Sequence, residues 1–190
     1  MSVIPPQAKA APALPLIQSA WVVANLEQAI EGWLAMGVGP FFTFLVDLPD
    51  ALYRGKTTPL RFRVALAQAG EVQIELIQQL SAGPSAYRDV IPEGTSGFHH
   101  VCRALGAYDE MLEQLRALGV EVATEAMVGD ARFCYIDTRA YTGCMLELVD
   151  ESAVGTALNA LVRDGATNWD GSDPVREVDF ASLLATAEAG

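Results

Sequence analysis

The feature that most constrains this chain of 190 residues is an internal repeat: Gly37-Val38 recurs as Gly119-Val120, an offset of 82 residues. Carried upstream without a gap, that offset maps Gln18 onto His100, Val23 onto Leu105 and Ile30 onto Leu112. The pattern around these positions is the same in both copies. Residues 16–23 are an apolar strand. Asn25 is a helix N-cap, with Gln28 completing a capping-box pattern. Leu26, Ala29, Ile30, Trp33 and Leu34 recur at helical spacing, and Gly37 stands where a C-cap glycine ends a helix. Strands follow at 41–46, 60–67 and 71–78, the last two joined by a turn at 68–70. After a Gly- and Pro-rich connector the order returns: strand 98–105, a helical stripe of Tyr108, Met111, Leu112, Leu115 and Leu118 closed by Gly119, then strands 120–128, 132–137 and 144–149. Ile74-Glu75-Leu76 matches Leu146-Glu147-Leu148 at the shorter offset of 72 residues, so the first copy is the longer and its extra length falls in 47–59. A repeat of this kind fixes architecture before any residue is assigned a role. It predicts an α+β fold of two βαβββ modules.

The repeat also aligns the polar residues that interrupt apolar strands: Gln18 and Glu75 in the first module, His100 and Glu147 in the second. His99 and His100 are the only histidines of the chain, and strict strand alternation puts their rings on opposite faces, so only one of them can look into a given cleft. Glu75 and Glu147 sit among valine, isoleucine and leucine. Burying a carboxylate there costs several kcal/mol unless it is paired, hydrogen-bonded or metal-bound. Neither strand carries a lysine or arginine. Two carboxylates, one imidazole and one amide oxygen around a divalent cation sum to zero charge. Taken singly, each acid reads as a solvent-facing edge-strand residue and the histidines as a half-buried pair. The symmetric set of four favours a metal site.

The two βαβββ modules, with GFHHV opening the second and IEL and LEL closing each, resemble the vicinal oxygen chelate superfamily over residues 15–150. That group includes glyoxalase I, methylmalonyl-CoA epimerase, extradiol dioxygenases and bleomycin-resistance binding proteins. The resemblance implies pseudo-twofold symmetry, a curved mixed sheet around one cleft, and one inward ligand from the first and last strand of each module: Gln18, Glu75, His100 and Glu147, with His99 the outward neighbour. It implies a divalent metal, with Zn, Ni, Co, Mn and Mg all compatible with an oxygen-rich site holding one imidazole. A glutamine in the first position disfavours a two-His, one-carboxylate dioxygenase site. Gln, Glu, His, Glu is closer to glyoxalase I, while the brevity of the chain is closer to the epimerases. Both chemistries move a proton next to a carbonyl with an enediolate or enolate held by metal. Glu147 is the expected base and Glu75 the second candidate; a metal-free binding protein of the bleomycin-resistance type is the alternative. The expected organisation is a floppy arm at 1–14, module one at 15–80, a connector of little regular structure at 81–96, module two at 97–150 and a C-terminal helical extension at 151–190. Val154, Leu158, Leu161 and Val162 give that extension its helical stripe, and it reads as a docking or lid segment.

Charge narrows the partners. With 24 acidic against 12 basic residues the net charge is −12, which excludes a nucleic-acid binder relying on a basic footprint. No apolar run approaches the roughly 20 residues of a membrane span. Three cysteines with no CxxC pair suit a reducing cytoplasm. Arg54, Lys56, Arg61 and Arg63 fall in a stretch without acids. They offer an anchor for an anionic small-molecule substrate, a thioester or hemithioacetal, with Tyr53, Arg61 and Arg63 the residues singled out; the competing reading is a solvated loop and strand face. A homodimer is the assembly left open.

Overall fold

A computed structural model of the protein describes residues 15–180 and 183; the expected N-terminal arm lies outside the described residues. In chain order the elements are β1 (Gln18–Val22), α1 (Leu26–Ala35), β2 (Phe41–Leu48), β3 (Leu52–Tyr53), β4 (Lys56–Thr57), β5 (Leu60–Ala69), β6 (Val72–Gln79), α2 (Ala86–Val90), β7 (Gly97–Leu105), α3 (Tyr108–Ala117), β8 (Val122–Val128), β9 (Ala131–Ile136), α4 (Arg139–Thr142), β10 (Met145–Asp150), α5 (Ala153–Ala166) and β11 (Val175–Glu177). All strands belong to one sheet in the order β11-β2-β5-β6-β1-β7-β10-β9-β8-β3-β4. Its middle is a palindrome: β2-β5-β6-β1 from the first module faces β7-β10-β9-β8 from the second. The β1–β7 seam is antiparallel, and within each module the first strand pairs parallel with the last.

The residue registers agree with the repeat. Across the seam Gln18 pairs with Cys102 and Ala20 with His100, so the pseudo-twofold axis passes through the Ser19–Val101 pair. Ala20 pairs with Glu75 on β6, and its equivalent Cys102 pairs with Glu147 on β10. The offsets of 82 and 72 residues therefore hold at the centre of the sheet.

Local chemistry sets the helices. The Asn25 side chain accepts a hydrogen bond from the Gln28 amide at 2.8 Å, as an N-cap should. Gly37 and Gly119 follow α1 and α3 at φ +83° and +72°, a conformation that favours glycine. α1 buries Leu26 and Ile30 against the outer face of β5 and β6, and α3 buries Tyr108 and Leu112 near Leu148 of β10. The other face of the sheet is concave and holds the largest core, including Val22, Phe62, Ile77, Phe133, Tyr135 and Met145.

Four segments depart from the sequence expectations. The connector carries the short helix α2, capped by the Ser85 hydroxyl, which accepts from the Arg88 amide at 3.1 Å. α4 stands between the last two strands of module two. The surplus loop of module one forms the β3–β4 hairpin, which pairs with β8 of module two and ties the two halves together. The C-terminal extension is a helix followed by a strand. α5 crosses the concave side, with Val154 and Val162 in the core, and β11 adds parallel to the edge strand β2. Close approach of α5 needs Gly165: a Cβ there would sit 2.5 Å from the Phe42 ring.

Candidate metal centre

Alternation sends Gln73, Glu75 and Ile77 of β6 and Met145, Glu147 and Val149 of β10 to the concave side, while Ile74, Leu76, Leu146 and Leu148 face the helices. Glu75 and Glu147 thereby meet across β1 and β7 with His100 between them. His100 Nε2 lies 3.1 Å from Glu147 Oε2 and 3.2 Å from Glu75 Oε2. One ligand-capable atom from each of these three residues falls within 4.8 Å of the other two, the one such group among the described residues. His100 is fully buried, and the acid side chains are 13% and 9% exposed. Gln18, also buried, is on the same face by alternation, beside Cys102 across the seam and Gln73 on β6.

His99 is not outward. A register shift between Ala20 and Trp21 places His100 opposite Ala20 and Phe98 opposite Trp21, leaving His99 as the extra residue of a β-bulge. A bulge puts two successive residues against one partner and suspends alternation locally. Both rings thus turn inward. His99 is fully buried, its Nδ1 lies 2.8 Å from His100 Nδ1 and its Nε2 lies 2.9 Å from the Ala86 carbonyl on α2. Tyr87 and Tyr135 pack edge-on to His99 and hydrogen-bond to each other at 3.0 Å. A doubled histidine in a strand opening is the only sequence trace of this arrangement.

The electrostatics follow from burial and company. Burial alone would drive the proton off His100, but the Glu147 and Glu75 carboxylates outweigh it and raise its pKa to about 9. His99, buried and next to a positive neighbour, falls to about 3. Burial raises the pKa of Glu75, and Glu147 raises it further, against the hydrogen-bonding pull of His100. Despite its 3.2 Å approach to the imidazole, Glu75 Oε2 has no hydrogen-bond partner of acceptable geometry, because the His100 N–H serves Glu147. A buried carboxylate oxygen without a donor is expensive. Two carboxylates, an imidazole nitrogen and a nearby glutamine amide are a donor set suited to a divalent cation, so the residues fit a metal.

In front of this group is a cavity of about 130 Å³. Phe44, Phe62, Phe133, Val149, Leu158 and Phe180 line it, and its charged residues are Glu75, Glu147 and Arg132, the last paired with Asp109 and Asp150. α5 and Phe180 form part of the wall, so the C-terminal extension helps to enclose the cleft. Tyr53, Arg61 and Arg63 do not line it. Arg61 and Arg63 alternate with Phe62 and Val64 and emerge on the opposite face of β5, where Arg61 meets Asp47 at 3.6 Å and Arg63 meets Glu27 at 2.5 Å. Tyr53 donates to Asp89 at 2.8 Å beside Arg54. The acids that neutralise this basic stretch come from distant parts of the chain, which is why the sequence shows it as an unopposed patch.

Residues 17–135 match the family model described as Glyoxalase/Bleomycin resistance protein/Dioxygenase superfamily. Among solved structures, the methylmalonyl-CoA epimerase from Mycobacterium tuberculosis is 21% identical with a TM-score of 0.50, over 75% of this chain and 92% of that one. A Streptomyces coelicolor methylmalonyl-CoA epimerase variant in complex with 2-nitronate-propionyl-CoA is 17% identical with a TM-score of 0.53, over 74% and 96%. A hypothetical protein from Bacillus halodurans C-125 is 17% identical with a TM-score of 0.52, over 74% and 96%. At such identities the likeness speaks for the fold. No curated protein matches the chain. Among the described residues no helix is long and apolar enough to cross a membrane. The family match over most of the repeat, and the palindromic sheet with an inward glutamate on the closing strand of each module, make the chain a member of the glyoxalase/bleomycin resistance protein/dioxygenase superfamily, the vicinal oxygen chelate group.

Proposed function

We propose that the protein is a divalent-metal-dependent isomerase or lyase of the epimerase or glyoxalase type, which moves a proton on the carbon beside a carbonyl. The observation that carries this reading is the buried Glu75 Oε2, which receives no hydrogen bond although it lies 3.2 Å from His100 Nε2 in an apolar cleft. Gln18, Glu75, His100 and Glu147 would hold the metal. When bound, the metal supplies a Lewis acid for the substrate's carbonyl oxygen and so stabilises the negative charge left by deprotonation. Glu147 takes the proton at a carboxylate oxygen and returns it, with Glu75 the second candidate for that role. His100 Nε2 and the Gln18 amide orient the group from the β1–β7 seam. The aromatic and aliphatic walls keep water away from the carbanionic carbon and strengthen every charge interaction inside.

The cavity receives the carbonyl-bearing end of the substrate; of the anionic thioester or hemithioacetal expected from sequence, only that end matches about 130 Å³. The test is exchange. Protein purified without chelators is assayed for metal, then incubated in D₂O with a panel of acyl-CoA thioesters and glutathione hemithioacetals. Deuterium is expected at the carbon next to the carbonyl in product or recovered substrate. If metal-loaded protein binds members of the panel and exchanges no proton, the binding-protein reading replaces the catalytic one.

A further inference from the structure

We infer that His99 is a positioning residue for the metal centre: through its bulged place on β7 it accepts the Nδ1 hydrogen of His100 and so leaves Nε2 as the nitrogen that meets a metal beside the two glutamates. This rests on the metal reading proposed above. It follows from donor and acceptor bookkeeping along one line of atoms. The Ala86 carbonyl can only accept, so the hydrogen on His99 Nε2, 2.9 Å away, is donated to it. His99 is fully buried, and the rings around it belong to Tyr87, Tyr135 and His100; no carboxylate touches it to support a second proton. Its Nδ1 is therefore a lone pair. His100 Nδ1, 2.8 Å from that lone pair, must carry the hydrogen between them.

The remaining nitrogen of His100, Nε2, is then the atom facing Glu75 and Glu147, and a metal ion exchanges there with a proton while Nδ1–H is untouched. Ligand histidines usually obtain such a partner from a carboxylate or a backbone carbonyl. Here the adjacent residue supplies it, and it can do so only because the bulge turns both rings to one face. The line also ties the centre to the connector, since its last acceptor is the first residue of α2. Tyr87, one residue further, closes the same pocket with its ring 5.1 Å from that of His99.

The experiment uses zinc as the probe and two substitutions. His99→Phe keeps a ring of similar size but removes the acceptor; His99→Asn places an oxygen where Nδ1 stood and keeps a donor beyond it. Zinc affinity, by chelator competition, is expected to fall roughly 10- to 100-fold in H99F and to recover largely in H99N. The chain has two histidines, so a long-range ¹H–¹⁵N spectrum of untagged wild-type protein reads both tautomers directly. His99 is expected as Nε2–H with or without zinc, and zinc-loaded His100 as Nδ1–H. Folded H99F that binds zinc as tightly as wild type overturns the inference, as does a His99 found as Nδ1–H. Should H99F fail to fold, the wild-type spectrum decides. Wild-type protein that binds no zinc overturns the metal reading and this inference together, whereas binding that ignores the His99 substitutions overturns this one alone.

Discussion

Two groups of charged side chains join the modules, and they are built on opposite terms. On the rim, Arg54 of the β3–β4 hairpin bonds Asp89 at 2.6 Å and Asp137 at 3.1 Å and also pairs with Glu121, while Arg139 bonds Asp137 at 2.7 Å and donates to the Asp89 carbonyl. In the cleft, His100 Nε2 lies within ion-pair distance of both Glu75 and Glu147 but donates to Glu147 alone. With His100 protonated, each group has one more acid than base. On the rim the excess costs little, because Glu121 reaches solvent and the oxygens of Asp89 and Asp137 share several donors. In the cleft an oxygen is left without a donor where water has little access. The rim group is a clasp that is complete as it stands; the cleft group is a donor set that a cation would complete.

The contrast can be broken by substitution. The largest effect is expected from Glu147→Gln, which keeps shape and one ligand oxygen but removes the proton acceptor. Turnover at saturating metal should fall roughly 10²-fold or more, a general-base magnitude, with the circular dichroism spectrum unchanged; a tenfold loss or less would move the base to Glu75. Arg54→Ala should do the reverse, destabilising the protein by about 2 kcal/mol through the donors lost to three acids, read in urea melts, with metal affinity unchanged.

The clasp should also respond to acid. The Arg139 guanidinium, helped by Arg54 and resisted by partial burial, holds Asp137 at about 2, below its usual 3.8. A depressed carboxyl contributes stability that is present above the unfolded value and lost as pH falls through the folded one. Between pH 4 and 2 the wild type should therefore lose about 2 kcal/mol that Asp137→Asn does not lose, read as the pH dependence of the urea midpoint. The smallest effect sharpens the cleft side. Glu75→Gln relieves burial of a charge and repulsion by Glu147, so metal-free protein should gain roughly 1 kcal/mol at neutral pH while zinc binds more weakly. Loss of stability without metal would mean that the acid pair is structural.

Legibility in the sequence follows the range of the interactions involved. The eight module strands, helices α1 and α3 and the placement of Glu75, His100 and Glu147 were readable, because the repeat restates them at two offsets, and local periodicity also marked α5. The bulge at His99 was not, since one residue in excess leaves no compositional mark and alternation is blind to it. The clasp was not either: Arg54, Arg61 and Arg63 look unopposed until folding brings Asp89, Glu121, Asp137, Asp47 and Glu27 to them. β11 escaped because three residues after a turn carry too little pattern to mark a strand. Its partner, the edge of β2, gives no sign in sequence that it needs one.

That late strand has a consequence for the order of assembly. During synthesis β2 can pair with β5 as soon as the first module emerges, but its other edge stays open until Val175–Glu177 arrives after both modules are complete. An open edge carrying Phe42 and Phe44 is a template for pairing with another chain, so the nascent protein spends most of its translation with one adhesive margin. Closing it must wait until both modules have been made, and α5 carries the chain toward it over the concave face. A ribosome stalled before residue 175 should therefore hold a protein with a central seam and two modules yet a greater tendency to self-associate, and that tendency should vanish once residues 175–177 are free to pair with β2.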